Sequence, residues 1–319
     1  MNKTDKIYIA GHSGLVGSAI VRALENEGFQ NLIYKRSKEL DLRNQQQVND
    51  FFAQEKPQYV FLSAGKVGGI VANNTYRADF LYDNIMIAAN VMHAAFENKV
   101  TKLQYLGSSC IYPKMAPQPI KEDSMLTGPL EITNEPYALA KIAGIKLAQA
   151  YKDQYAANFI SLMPTNMYGL NDNYHPQNSH VLPALIRRFH EAKIADAPEV
   201  IIWGTGSPLR EFLFADDLAE ACLFLMDHYN GREIINVGSG EEISIKALAG
   251  LIKKIIGFKG SLVFDTARPD GTPRKLMDVT KIQAMGCKHK VNLEEGIAIA
   301  YKDFLQHHAS KKKKKKKPA

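Results

Sequence analysis

The stretch IYIAGHSGLVG, residues 7–17, decides the fold of this chain. Its first four residues, Ile7–Ala10, are apolar and predict a short buried strand, and the glycines that follow have the spacing G-x-x-G-x-x-G. Apolar residues then recur at helical spacing through residues 18–26, so the stretch predicts a strand, a turn and a helix. Glycines in such a turn permit positive φ angles and let a pyrophosphate approach the backbone. We predict that the dinucleotide contacts in this turn are Gly11, His12, Ser13, Gly14, Leu15, Val16 and Gly17.

Outward from this turn, strand and helix patterns alternate along the first half of the chain. Strands are predicted at 31–34, 59–62, 103–106 and 159–163, and helices at 45–54, 79–98 and 136–155. This alternation is typical of an α/β protein with a Rossmann-like, doubly wound parallel sheet. Loops rich in Asn, Gly, His and Pro then separate shorter elements, which predicts a smaller C-terminal α/β substrate lobe. We place the Rossmann domain in residues 1–165 and the lobe mainly in 166–310, with a discontinuous boundary.

The net charge of the chain resides in its C-terminal tail. Lys and Arg number 40 against 33 Asp and Glu, and the excess of seven equals the run Lys311–Lys317. The rest of the chain is balanced, so we expect neither nucleic acid nor a membrane surface as a partner. Residues 311–319 are predicted to be a disordered, lysine-rich tail.

Composition also limits the class of protein. With 319 residues, 45% hydrophobic and 23% charged, the chain is neither disordered nor fibrous. Its three cysteines, Cys110, Cys222 and Cys287, are too scattered for a disulfide framework or a metal site, and we predict no metal. It has neither a signal-peptide core nor a run of 18 apolar residues, so a cytoplasmic protein is expected.

The second predicted strand is followed by cations where an NAD enzyme would place an acidic residue. Lys35 and Arg36 favour a 2′-phosphate, so residues 1–165 are predicted to bind NADP. The alternative is a solvated basic loop at the surface. Asp41 and Leu42 follow, at a point where contacts to adenine are expected.

Tyr137 and Lys141 are four residues apart near the start of a predicted helix. This spacing places the phenol and the ammonium on one helix face, about one turn apart. A nearby ammonium is expected to lower the pKa of the phenol, so Tyr137 is predicted to exchange a proton with a carbonyl or alcohol oxygen. Ser108, directly after a predicted strand, is placed to hydrogen-bond the same oxygen.

Together, these motifs resemble the extended short-chain dehydrogenase/reductase family. Within its nucleotide-sugar branch, the chain resembles the GDP-L-fucose synthases over nearly its whole length apart from the lysine tail. The residues that carry this closer resemblance are Lys66–Ile70, Ser108–Pro113, Asn134–Ala138, Asn178–His180 and Pro269–Lys275.

The resemblance implies an enzyme with two activities. GDP-4-keto-6-deoxy-D-mannose would be epimerised at C3 and C5, and its C4 ketone then reduced by NADPH to give GDP-L-fucose. Tyr137, Lys141 and Ser108 would serve the reduction, and Cys110 and His180 match the family's proton carriers for the epimerisations. A thiol and an imidazole titrate near neutral pH, which suits that work. The alternatives are a buried core thiol and a histidine that hydrogen-bonds within a loop.

The resemblance also implies the remaining ligand contacts. The cofactor contacts would include Leu106, Gly107, Ser108, Ser109, Lys141, Pro164, Thr165, Asn166, Met167 and His180. The GDP-sugar contacts would be Arg188, Trp203, Arg210 and Asp270. The family often carries an arginine at Ser13, so in this chain Lys35 and Arg36 would have to supply the charge that binds the 2′-phosphate.

A homodimer is expected from the two long predicted helices, because in this family such helices form a four-helix bundle between subunits. Their apolar residues exceed what one buried stripe requires. These residues include Ile85, Ile87, Ala88, Val91, Ile142, Ile145 and Ala148. The alternative is that they are buried within a single chain.

Two other functions remain open at this stage. A sister nucleotide-sugar epimerase or reductase acting on a related 4-keto sugar would keep Tyr137 and Lys141, but a simple reductase would need neither Cys110 nor His180. A regulatory module that only senses nucleotides would typically lack Tyr137 or Lys141, and both are present here.

Overall fold

The computed structural model describes residues 1–176, 178–268 and 270–309, so the predicted lysine-rich tail lies outside the described residues. The strands are β1 (Ile7–Ala10), β2 (Leu32–Ile33), β3 (Tyr59–Leu62), β4 (Lys102–Leu106), β5 (Phe159–Pro164), β6 (Asn166–Tyr168), β7 (Glu199–Trp203), β8 (Leu209–Phe214), β9 (Ile235–Val237), β10 (Glu242–Ser244), β11 (Ser261–Asp265) and β12 (Arg274–Lys275). The helices are α1 (Leu15–Asn26), α2 (Gln45–Glu55), α3 (Ile70–Thr75), α4 (Arg77–Glu97), α5 (Glu135–Tyr155), α6 (Val181–Ile194), α7 (Ala215–His228), α8 (Ile245–Ile256), α9 (Thr280–Ala284) and α10 (Leu293–His307). Within the described residues, no helix is both long and apolar enough to cross a membrane.

The main sheet has six parallel strands in the order β2-β1-β3-β4-β5-β9. Successive side chains of β4 show that both of its faces are covered. The Gln104 amide donates to the carbonyl oxygen of Cys222 in α7, whereas the Tyr105 ring packs against Gly144 in α5. Helices α1 and α7 pack together, as do α4 and α5. The predicted doubly wound α/β fold is confirmed.

A second group of elements follows β5. Strand β8 pairs with β10, β12 and β6, and β7 pairs with β11. Helices α6, α8 and α10 enclose a separate apolar cluster with these strands. However, β9 returns to the main sheet beside β5, and α7 packs against α1. A domain division at residue 165 stays a prediction.

Candidate active site

The glycine turn lies between β1 and α1 and has the geometry that its sequence predicts. Gly11 has a φ of +88°, and a Cβ there would lie 2.7 Å from the backbone nitrogen of Ala64. A Cβ at Gly17 would lie 2.0 Å from the carbonyl oxygen of Gly11, so only glycine permits this helix–strand approach. Gly14 precedes the first residue of α1 and is exposed, which leaves the N-terminus of this helix open to an anion.

An open cavity of about 530 Å³ lies beside this turn. The His12 ring stacks on the Tyr34 ring with their centres 4.7 Å apart, and the Arg36 side chain also lines the cavity. Burial and the Arg36 guanidinium both hold the pKa of His12 below its usual value. The remaining lining residues are Ser18, Val21, Arg22, Glu39 and Asn171, and Lys35 is not among the residues that line it.

The two predicted adenine contacts have partners within the protein. The Arg43 guanidinium donates to both oxygens of the Asp41 carboxylate, at 2.8 and 2.9 Å, and lowers the pKa of Asp41. The carbonyl oxygen of Leu42 accepts from the Asn90 amide. Both residues lie beyond β2, the edge strand next to β1.

The ends of β4 and β5 bring the other predicted cofactor contacts to the same edge of the sheet. Leu106 pairs with Leu162, so residues 106–109 and 164–167 leave adjacent strands together. The backbone nitrogen of Thr165 donates to the carbonyl oxygen of Val237 in β9. Pro164 ends β5, and Asn166 and Met167 form β6.

Tyr137 and Lys141 occupy the first turns of α5, facing the end of β4. The Lys141 ammonium donates to the carbonyl oxygen of Leu106 at 2.7 Å, and Nζ lies 5.7 Å from the centre of the Tyr137 ring. The Ser108 hydroxyl also acts on Tyr137, because it opposes the rise in the pKa of the phenol. Helix α5 begins with Pro136 in its first turn, where the missing N–H leaves no backbone hydrogen bond unmade.

The expected lowering of the Tyr137 pKa is wrong. Burial raises the pKa of this phenol well above 10, with the neighbouring Cys110 and Tyr105 acting in the same direction. Burial also lowers the pKa of Lys141 to about 8. At neutral pH the phenol therefore keeps its proton and is a donor.

Cys110 lies in a short 3-10 turn directly after Ser108, whose hydroxyl accepts from the Cys110 backbone nitrogen at 3.4 Å. The thiol is buried and close to Tyr137 and Lys141. Burial raises its pKa, and the Lys275 ammonium opposes this effect most strongly. Cys110 is therefore a buried thiol that also faces the proposed proton donor.

His180 is an exposed residue directly before α6. Residues 178–179, just before His180, pack against the glycine pair Gly68 and Gly69. The Gly69 backbone nitrogen donates to the carbonyl oxygen of Asn178. A Cβ at Gly69 would lie 2.6 Å from the carbonyl oxygen of Ser179. Surrounding protein, and secondarily the Lys275 charge, lower the pKa of His180. The imidazole is therefore neutral at pH 7.

Lys275 was not identified as a site residue from the sequence, although its motif was noted. It lies in β12, paired with Arg210 of β8, and is the charged group that acts on both Cys110 and His180. Burial lowers its own pKa. Only the pairing of β8 with β12, across more than sixty residues of chain, places this lysine at the site.

The predicted GDP contacts lie along the second lobe. The Arg188 guanidinium lies 5.8 Å from the centre of the Trp203 ring, and that of Arg268, which sequence analysis missed, lies 5.0 Å away. The Asp270 carboxylate accepts from the backbone and hydroxyl of Thr205, at 3.0 and 2.8 Å. Arg210, the fourth predicted contact, donates to the carbonyl oxygen of Leu209. It lies beside Gly271, where a Cβ would be 3.1 Å from Arg210 Nη2.

The residues predicted for the site therefore include a glycine turn before a helix, a phenol and a buried lysine on one helix, a buried thiol, a histidine and arginines along the second lobe. A profile of the NAD dependent epimerase/dehydratase family matches residues 7–238. The chain belongs to the NAD dependent epimerase/dehydratase family. The family resemblance inferred from the sequence motifs is confirmed.

Several members of this epimerase/dehydratase family are similar to the chain over almost its whole length. A protein of Arabidopsis thaliana named putative GDP-L-fucose synthase 2 is 61% identical, across 96% of this chain and 94% of that protein. The crystal structure of a GDP-L-fucose synthetase from Naegleria fowleri bound to NADP is 28% identical with a TM-score of 0.90, covering 97% of each chain. That of a GDP-6-OMe-4-keto-L-xylo-heptose reductase from C. jejuni is 41% identical with a TM-score of 0.91, covering 96% and 99%.

Proposed function

We propose that this chain is a GDP-L-fucose synthase, which converts GDP-4-keto-6-deoxy-D-mannose to GDP-L-fucose by epimerisation at C3 and C5 and NADPH-dependent reduction at C4. The observation that carries the proposal is that the Lys275 charge acts on both Cys110 and His180, and that Cys110 in turn acts on Tyr137 and Lys141. The relatives named GDP-L-fucose synthase support the choice of substrate.

Epimerisation comes first, because the protons on C3 and C5 are acidic only while C4 is a ketone. Inversion requires a proton to leave one face of the carbon and another to arrive on the opposite face. Cys110 and His180 approach the site from different elements, the turn after β4 and the start of α6, which suits groups acting from two sides. Each gives or takes one proton, so the sugar's composition is unchanged.

For the reduction, NADPH supplies a hydride to C4 when it is bound. Tyr137 donates its phenolic proton to the C4 oxygen, and its raised pKa keeps that proton available at neutral pH. Ser108, whose hydroxyl acts on the Tyr137 phenol, would orient the same oxygen. Lys141 binds the end of β4 through the carbonyl oxygen of Leu106 and supplies positive charge beside the phenol.

The glycine turn fits a dinucleotide, since Gly11 and Gly17 allow a close backbone approach and the N-terminus of α1 is open. NADP rather than NAD is supported by Arg36 in the cavity beside His12. A 2′-phosphate bound there would exchange its hydrogen bonds to water for hydrogen bonds from the Arg36 guanidinium. Ser13 contributes no charge, so Arg36 would supply most of the positive charge that binds the 2′-phosphate.

The GDP moiety would lie along Arg188, Trp203, Arg210 and Asp270. Burial lowers the pKa of both arginines, and both still carry their charge at neutral pH, which suits diphosphate oxygens. Trp203 is half exposed and presents a ring for stacking. Asp270 would accept from donors on the guanine or ribose.

A cytoplasmic homodimer is also proposed. Five of the seven apolar residues first assigned to the dimer are buried within one chain: Ala88, Val91, Ile142, Ile145 and Ala148. The outward faces of α4 and α5 carry a different set, including exposed Tyr82, Leu139 and Tyr155 and a groove lined by Phe96 and Leu147. These residues would form the contact between two copies.

The alternative is a sister 4-keto-sugar reductase, such as the similar C. jejuni protein, without epimerisation. The deciding experiment incubates the enzyme with GDP-4-keto-6-deoxymannose and NADPH in D2O and identifies the product sugar by NMR. We expect GDP-L-fucose with deuterium at C3 and C5. A reduced 6-deoxyhexose with both original configurations and no deuterium would instead support the simple reductase.

Two variants test the site assignment in the same assay. Cys110→Ser and His180→Asn are each expected to lose deuterium exchange at C3 or C5, while Tyr137, Lys141 and NADPH still reduce a bound ketone. The product then retains one or both original configurations. Undiminished exchange at both carbons in both variants would mean that other groups move these protons.

A further inference from the structure

A buried carboxylate lies just behind the predicted GDP-sugar contacts. Glu211 follows Arg210 in β8 and is fully inaccessible to solvent. Burial raises the pKa of its carboxyl group, whereas hydrogen bonds from Gly240 and Met277 lower it. A charged group in such a place costs free energy unless its hydrogen bonds are satisfied, so its presence calls for a physical reason.

Both oxygens of this carboxylate bind backbone amides from other segments. Oε1 accepts from the Gly240 nitrogen at 2.8 Å, and Oε2 accepts from the Met277 nitrogen at 3.0 Å. A Cβ at Gly238 would lie 2.1 Å from Oε1, so the loop after β9 folds closely around the carboxylate. A carboxylate suits this arrangement because it has only acceptors, whereas an amide would turn an NH2 group toward one of the two donors.

These bonds connect the segments that carry cations to the site. Met277 lies two residues after Lys275, and Lys275 pairs with Arg210 across β12 and β8. The Glu211 backbone has a separate role, since its carbonyl oxygen accepts from the Asn166 amide at 2.7 Å, beside the predicted cofactor contacts. The Thr165 hydroxyl also lowers the pKa of the carboxyl, so the side chain adjoins both sides of the site, but its amide hydrogen bonds come from Gly240 and from Met277 beside Lys275.

We infer that Glu211 is a positioning residue whose carboxylate holds the strand of Lys275 against that of Arg210 and so sets both cations for the GDP-sugar. The inference rests on the proposed function for the identity of the ligand. It assigns Glu211 no contact with substrate. Its effect is on substrate binding more than on turnover, and NADPH binding is affected much less because the Asn166 bond uses the backbone.

The test compares Glu211→Gln, Glu211→Asp and Gly238→Ala with the wild-type enzyme. Glu220→Gln is the control, because Glu220 lies in α7 and pairs with Lys290 at the surface, with no contact to β8 or β12 among its described partners. KM and kcat for GDP-4-keto-6-deoxymannose, calorimetric binding of GDP, binding of NADPH, and amide hydrogen exchange across residues 274–279 are measured for each.

For Glu211→Gln we expect KM to rise by about 10- to 100-fold, with a smaller change in kcat. GDP binding should weaken similarly, NADPH binding should weaken much less, and amide hydrogen exchange at Met277 should become faster. Gly238→Ala should show the same pattern because its Cβ displaces the carboxylate, and Glu211→Asp, which keeps both acceptors, should lie between. Should Glu211→Gln not fold, the other two variants carry the comparison.

Wild-type KM and GDP affinity in folded Glu211 and Gly238 variants would overturn the inference. So would an equal loss of GDP and NADPH binding, which indicates general loosening. If the wild-type enzyme fails to convert the substrate, the proposed function fails by itself. In that case, the affinity for GDP and the rate of amide hydrogen exchange at Met277 still decide the role of Glu211.

Discussion

The ammonium of Lys141 donates to the carbonyl oxygen of Leu106 at 2.7 Å while lying 5.7 Å from the centre of the Tyr137 ring. One residue thus fastens the end of β4 to the first turns of α5. Ser108 and Cys110 follow Leu106 along the chain, and Tyr137 precedes Lys141 by one helical turn. The relative placement of the phenol, hydroxyl and thiol therefore depends on this single buried lysine.

Removing the phenolic oxygen should stop the reduction. In Tyr137→Phe we expect the single-turnover rate of NADPH oxidation to fall by about 10² to 10⁴, because the C4 oxygen loses its proton donor. The ring remains, packed edge-on against Phe80 with centres 6.2 Å apart, so NADPH binding should be nearly unchanged. A rate like that of the wild type would remove Tyr137 from the mechanism.

The reduction should weaken at alkaline pH. Burial places the pKa of Lys141 at about 8, so a rising pH removes the charge near that value. We expect the single-turnover rate to be highest below pH 8 and to fall above it. In Lys141→Arg the guanidinium keeps its charge, so residual activity should show no such fall. An identical alkaline fall in both enzymes would assign it to another group.

Cofactor preference should depend on Arg36 more than on Lys35. Replacing both with alanine is expected to weaken the binding of NADPH far more than that of NADH, since the 2′-phosphate loses its cationic partners. Arg36 lines the cavity beside His12, whereas Lys35 is absent from that lining, so Arg36→Ala alone should reproduce most of the effect. Lys35→Ala serves as the charge-matched control. Equal weakening of both cofactors would show that the loop is a solvated surface.

The dimer should form through the outward faces of α4 and α5. Placing a charge at Leu147, in the groove beside Phe96, is expected to give a monomer in sedimentation at micromolar concentration. Lys302→Glu, at an exposed position in α10 away from these two helices, is the control and should remain dimeric. A wild-type enzyme that sediments as a monomer would end the proposal.

Strongly periodic segments were predicted well from sequence. Helix α5 was expected over 136–155 and spans Glu135–Tyr155, because its apolar residues repeat at helical spacing and Pro136 marks its start. Strand β8 was missed, since Arg210 and Glu211 interrupt the apolar pattern of Leu209–Phe214. Glu211 is buried because its carboxylate accepts from backbone amides of distant segments, which local sequence does not display.

The same limit applies to the site. Tyr137 and Lys141 share one helix, so their spacing alone predicted their proximity. Lys275 approaches Cys110 and His180 only through pairing of β12 with β8, which no local pattern reveals. The direction of the Tyr137 pKa was also missed, because spacing shows the neighbouring charge but not the burial that outweighs it.

Strand β9 belongs to the main sheet, although β6, β7 and β8, which precede it in the chain, belong to other sheets. During synthesis, a chain of 165 residues would therefore expose the edge of β5, with its backbone groups unpaired and open to other strands. The sheet closes when residues 235–237 emerge and pair with residues 162–164. The six-stranded sheet is therefore complete only after much of the second half of the chain has been made.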